Sequence, residues 1–235
     1  MANGQINKKI MSLPLLRNIP LMEHFYITTG IHSGGGYLFA SKQHGWNISG
    51  DGYFMFSDNF GLGAKYSLFS SAVQKDFTVE NYLLPRSMIP QYVHADTKEI
   101  QYIHYAGPSG IYQHWLDKNN RFLLSGTLSA GYVHYRKETR TEPNQNLFNN
   151  ILSTGSTWGA NIGVSAEYFP IKRRGLAIGV STNYKYARLT KINEQTRDVP
   201  RKVNFNAQSL ARLDYLITIR SHFQIPKNKR KYGRV

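Results

Sequence analysis

The stretch TWGANIGVSAEYFP, Thr157–Pro170, carries the pattern on which the fold reading turns. Taken at every second residue it gives Trp158, Ala160, Ile162, Val164, Ala166 and Tyr168, an apolar face with an aromatic at each end. The residues between them, Gly159, Asn161, Gly163, Ser165, Glu167 and Phe169, are mostly small or polar. A period of two belongs to a β-strand, whose successive side chains point to opposite faces. An apolar face edged by aromatics and backed by Asn, Ser and Glu asks for oil on one side and polar packing on the other.

The same alternation recurs along the chain. Trp46, Ile48, Gly50, Gly52, Phe54 and Phe56 oppose Asn47, Ser49, Asp51 and Tyr53. Phe60, Leu62, Ala64, Tyr66 and Leu68 oppose Gly61, Gly63, Lys65 and Ser67. Phe122 to Tyr132 and Leu176 to Tyr186 repeat it, and Leu213 to Phe223 oppose Arg212, Asp214, Thr218, Arg220 and His222. With His24–Phe39 and the less regular Lys98–Leu116, about eight strands result, an even number, each long enough for the roughly 9–11 tilted residues that cross a bilayer. Pro108 lacks an N–H, which predicts a bulge or distortion in Lys98–Leu116. The links after Phe56, Leu116 and Pro170 read as tight turns. Those at Gln74–Thr97, Glu138–Ser156 and Asn193–Lys202 read as long polar loops, and the first link, SKQHG, is short. Short turns alternating with long loops mark an up-and-down barrel. The sequence thus predicts an all-β, eight-stranded, antiparallel transmembrane barrel over residues 24–223, with a pre-barrel segment at 1–23 and a basic tail at 224–235.

Aromatic spacing separates a membrane barrel from a soluble one, which also alternates. Trp46 and Phe56, Phe122 and Tyr132, and Trp158 and Tyr168 each lie ten residues apart. At roughly 3.3 Å per residue and a tilt near 40° this spans about 25 Å, the height of an apolar band between two aromatic girdles. On the opposite faces stand Asp51, Lys65, Glu167, Lys185, Arg212, Asp214 and Arg220. Each would cost a few kcal/mol in lipid, so these residues are expected to form a polar network inside the barrel. Eight strands leave room for side chains and little for a pore, so a salt-bridged plug is expected.

Composition agrees. Of 235 residues 41% are hydrophobic, 13% aromatic and 18% charged, which excludes a disordered chain. There is no Cys, which excludes a disulfide scaffold, thiolate metal sites and a cysteine nucleophile. No run of 18 apolar residues exists to form a transmembrane helix. Met1–Glu23 does not read as a signal peptide, because Arg17 and two prolines interrupt its apolar run. An export signal is expected to be missing from the sequence shown. A net charge of +15 suggests an anionic partner. Basic clusters stand at Lys172–Arg174, at Arg201 and Lys202, and at Lys227–Arg230 with Lys231. The expected partners are the lipid bilayer and lipopolysaccharide phosphates, with other outer-membrane proteins as further candidates. Nucleic acid is not expected, because the aromatics follow the apolar face rather than interleave with the basic residues.

Catalytic chemistry finds little support. His32–Ser33 and Ser221–His222 are strand neighbours on opposite faces and cannot pair directly. His104 and His114 share a face but lie far apart. Neither a cofactor nor a metal is expected: SGGGY at 33–37 lacks the Lys-Ser/Thr pair of a phosphate loop, and the eight His show no ligand spacing.

Ala106–Arg136, Gly163–Tyr186 and Leu210–Phe223 (LARLDYLITIRSHF) resemble small outer-membrane β-barrel proteins of the OmpX and OmpA-transmembrane-domain kind, most of all those abundant in Bacteroidetes. The resemblance implies an outer-membrane location and a role for Phe223 as the closing aromatic of the assembly signal. The basic tail beyond Phe223 departs from that pattern. The family does not fix an activity. A non-enzymatic role in envelope structure, adhesion or interaction is expected. An accessory subunit of a larger complex, a lipid A-modifying enzyme and a soluble ligand-binding barrel are the alternatives.

Overall fold

The computed structural model describes residues 26–81, 91–142, 151–170, 175–195, 200–201 and 208–224. Eleven strands are found among them. β1 (Tyr26–Leu38), β2 (Gln43–Met55), β3 (Phe60–Asn81), β4 (Gln91–Trp115), β5 (Phe122–Glu142), β6 (Ile151–Tyr168) and β7 (Gly175–Leu189) come first. Three short pieces follow, β8 (Asn193–Gln195), β9 (Pro200–Arg201) and β10 (Gln208–Ser209), and then β11 (Arg212–Gln224). β1 to β7 and β11 form an antiparallel wall in which each strand pairs with its chain neighbour. β7 pairs with both β6 and β11. β11 pairs with β1 from Tyr26↔Gln224 to Leu38↔Arg212, which closes the barrel. A closed sheet has no free edge, the condition for a β-structure to sit in hydrocarbon.

Turn chemistry at the end that holds the strand termini is local and legible. Ser57 accepts the amides of Asn59 and Phe60 on its hydroxyl. Asp117 accepts the amides of Arg121 and Phe122 at 2.7 and 2.8 Å, while Asn120 takes positive φ to complete the turn. At the opposite end Lys42, also at positive φ, closes the short link between β1 and β2.

The expected loops are corrected. Much of Gln74–Thr97 is strand rather than loop: β3 and β4 pair continuously out to Asn81↔Gln91, in strands of 22 and 25 residues. That is about twice what a bilayer needs. Likewise β5 runs to Glu142 and β6 starts at Ile151, within the expected loop Glu138–Ser156, and Asn193–Lys202 contains β8 and β9. These segments are polar, and polarity alone does not distinguish paired ribbon from loop. At Pro108 the expected distortion is present, as an interruption of pairing. The β4–β5 ladder skips Gly107 and Pro108, then resumes at Ser109↔Ser129 in the register left at Ala106↔Tyr132. No residue is inserted, so there is a gap and no bulge. The expected segments 1–23 and 225–235, Lys172–Arg174 and Lys202 lie outside the described residues.

Inside, the barrel is layered, not uniformly polar as the alternation alone suggests. Toward the strand termini, Tyr26, Tyr53, Met55 and Ile111 pack together, and Leu123, Phe169 and Ala177 form a second cluster with Trp115. Toward the other end, Leu38, Phe69, Ile103, Tyr105, Val133, Tyr135 and Leu189 are buried in one cluster. The charged residues lie between. Phe69 depends on two glycines: a Cβ at Gly45 would stand 2.5 Å from its ring and one at Gly36 3.1 Å.

Phe69→Ala is expected to lower stability by about 3–5 kcal/mol, whereas Leu128→Ala on the outer face changes it far less, since lipid fills the space. Urea unfolding in vesicles compares the two. The Asp117 carboxyl is held below the usual carboxylate range, chiefly by the Phe122 amide and then by that of Arg121. A depressed carboxyl stabilises the fold above its unfolded value, near 3.9, and loses that effect as pH falls through its folded value. The stability difference between wild type and Asp117→Ala should therefore hold at neutral pH and shrink below about pH 4, measured by unfolding across pH.

Candidate functional site: the charged interior and the outer mouth

Asp51 on β2, Lys65 on β3, Glu167 on β6, Lys185 on β7, and Arg212, Asp214 and Arg220 on β11 all face inward and are buried. The register brings them together. Asp51 sits opposite Lys65 across β2–β3, and Arg212 opposite Lys185 across β7–β11. Around Arg220, Nη1 donates to Asp51 Oδ1 at 3.1 Å and Nε to Glu167 Oε1 at 2.8 Å. Ser165 donates to the same Glu167 oxygen. Around Asp214, Lys185 Nζ lies at 3.0 Å and Asn47 Nδ2 donates at 2.7 Å. Arg212 Nε is 2.8 Å from Asp214 Oδ1 without the alignment of a hydrogen bond, and its guanidinium lies 4.4 Å from the centre of the Phe69 ring. Lys65 Nζ donates to Asn183 Oδ1 at 2.6 Å, which ties β3 to β7 across the lumen.

His32 is a member of this network that the sequence reading missed. It was weighed against Ser33, its neighbour in sequence. Its partners are across the wall: Nε2 lies 2.8 Å from Asp51 Oδ2 and Nδ1 2.9 Å from Thr218 Oγ1. Its inward parity was legible, while the partner was not, because the β1–β2 and β1–β11 registers determine it. His222 packs against Tyr26, Trp115 and Phe169. His104 meets the Tyr66 hydroxyl at 2.8 Å on the outer face, with the His134 ring 6.2 Å away across β4–β5.

The outer surface is apolar. Trp46, Phe122, Tyr132, Trp158 and Tyr168 are exposed, and Phe56 is half-buried on the same face. Phe122 and Tyr168 are register partners with ring centroids 5.0 Å apart. Tyr132 and Trp158 are also register partners, ten residues along their strands. Exposed Leu128 and Ile162, again register partners, lie between the two aromatic levels. Phe223 is exposed opposite Ile27 near the strand termini.

Chemically, the interior network is walled off above and below by the apolar clusters, and both ring nitrogens of His32 are engaged within it. Among the described residues no group of three or more His, Asp or Glu is placed to hold a metal ion. A polar cavity of about 370 Å³ opens beyond the upper apolar cluster, at the end bearing the long hairpins.

No protein-family model matches the chain, and no curated protein does. Solved structures do resemble it. The outer membrane protein OprG of Pseudomonas aeruginosa is 15% identical, with a TM-score of 0.46 over 85% of this chain and 96% of that one. A major outer membrane protein of Thermus thermophilus is 12% identical, with a TM-score of 0.49 over 84% and 99%. The outer membrane protease OmpT of Escherichia coli is 10% identical, with a TM-score of 0.42 over 86% and 97%. No residue role passes from these proteins to this chain.

Removing one partner of a buried ion pair leaves a charge stranded. Arg220→Met should therefore destabilise the barrel by about 3–5 kcal/mol, and adding Asp51→Asn and Glu167→Gln should recover much of that loss. Urea unfolding of the single and triple variants in vesicles checks both.

Proposed function

We propose that this chain is a non-enzymatic outer-membrane barrel that serves the envelope through its extracellular end, by adhesion or interaction. The observation that supports the reading is the exchange of faces: large apolar side chains lie exposed between two aromatic levels while the charges turn inward. A soluble ligand-binding barrel needs the opposite arrangement. Short turns and both ends of the barrel wall lie at one end, which supports a periplasmic position for it and an outward one for the long hairpins.

A lipid partner fits the outer surface. Exposed Lys98, Arg136 and Arg188 lie on the hairpin side of Tyr132, Trp158 and Tyr186, where anionic headgroups would meet them. Arg201, of the basic pair Arg201 and Lys202, ends the short strand β9. A non-enzymatic role is supported by His32, whose two nitrogens are held within the sealed interior instead of facing a substrate.

Gel mobility of detergent-folded protein tests the membrane assignment. The unboiled chain should resist SDS and shift on boiling, while a chain that folds without detergent and shows no shift overturns it. Deletion of the gene tests the role: lipid A acylation should stay unchanged while surface attachment or envelope permeability alters. A changed acyl pattern restored by the wild-type gene would make the protein an enzyme.

A further inference from the structure

The cavity at the long-hairpin end has a polar wall that no part of the fold described so far requires. Its floor is the top of the upper apolar cluster, with Tyr135 and Ile192 at its edge. Its wall is polar, drawn from the β1–β2 link and from β2, β4, β5, β6, β8 and β10, which contributes Gln208. Gln101 is 2% exposed, yet among the described residues its carboxamide oxygen has no hydrogen-bond partner. The Ser41 hydroxyl, also on the wall, is buried and has no partner among the described residues either. Buried polar atoms are nearly always satisfied; others in the barrel interior also lack a partner among the described residues, and these two differ in lining a cavity that an occupant can enter.

The rest of the wall defines its chemistry. Lys137 Nζ donates to Glu99 Oε1 at 3.0 Å, and Ser153 donates to Glu194 Oε1 at 3.3 Å. Gln43 accepts from Ser71 at 3.2 Å through its oxygen. Carboxylates, carboxamides, hydroxyls and one ammonium thus face one space, offering acceptors and donors together. An apolar ligand would strand these groups. A multivalent cation would meet Lys137, and an anion would meet Glu99 and Glu194. A compound whose groups each donate and accept, and whose body has an apolar face to set on Tyr135 and Ile192, suits all of them. The cavity is large enough for a small molecule. We infer that the outer mouth is a binding site for a neutral saccharide of one or two sugar units, held by Gln101, Ser41, Glu99 and Glu194 over an apolar floor.

The inference rests on the outward orientation proposed above, and the experiment separates the two. The chain has no Cys, so Ala40→Cys, in the exposed turn beside Ser41, takes a single label. On intact cells a membrane-impermeant maleimide should label it, and labelling that requires permeabilisation would overturn the orientation alone. In detergent, the full chain carrying an environment-sensitive dye there is titrated with N-acetylglucosamine, galactose and maltose, and with spermidine for comparison. At least one saccharide should give a saturable change, weakened at least ten-fold by Gln101→Leu and by Glu194→Gln. Ser153→Tyr, which fills the cavity from another strand, should abolish it and serves if the first two variants fail to fold, as judged by gel mobility. Overturning results are no saturable response to any of the three sugars, a response to spermidine alone, or a sugar response that survives both cavity filling and Gln101→Leu.

Discussion

In hydrocarbon no water is present to satisfy a bare N–H or C=O, so the sheet must close on itself. The ladder between β1 and β11, thirteen residue pairs from Tyr26↔Gln224 to Leu38↔Arg212, is where this chain meets that demand. Much of the interior depends on that seam. It sets β11 between β1 and β7, and with it Arg212, Asp214 and Arg220, which supply much of the internal charge pairing. Arg220 reaches Asp51 on β2 and Glu167 on β6 because closure has already wrapped the wall around it. Without the seam Arg220 would lose Asp51, whereas Arg212–Asp214 and Lys185–Asp214 lie within β11 and across β7–β11.

The layered interior explains how one narrow barrel tolerates so many ions. Apolar clusters at both ends keep water from the ion pairs, and the pairs satisfy groups that the clusters could not. Phe69 joins the two zones: its ring packs over Gly36 and Gly45 and takes the Arg212 guanidinium on its face. The upper cluster also separates the structural interior from the mouth. Gln101 and Ser41, without partners among the described residues, lie on the long-hairpin side of that boundary, facing the cavity.

The hairpins show how far local pattern reaches. The β3–β4 ribbon continues to Asn81↔Gln91, and past Gln74 its sequence alternates only briefly, at Phe77 and Val79, among mostly polar residues. A strand in lipid must show an apolar stripe, but the same strand in water need not. The reading therefore stopped near the membrane boundary, not at the end of the ribbon. At Pro108 the missing N–H did interrupt a ladder, yet the register held because β3 pairs across it on the other side at Ala64↔Pro108.

By itself the sequence determined which residues face lipid and which face inward. Parity is a local property, so Trp158, Ile162 and Tyr168 were separable from Asn161, Ser165 and Glu167 before any neighbour was known. The tight turns at Ser57 and Asp117 were legible for the same reason: each is written in a few adjacent residues. Only the tertiary structure decided who meets whom. That His32 joins Asp51 and Thr218, that Lys65 crosses the lumen to Asn183, and that inward Phe69, Val133 and Tyr135 gather into a seal all follow from strand register and barrel closure. Register sums interactions over whole strands, so no single stretch contains it.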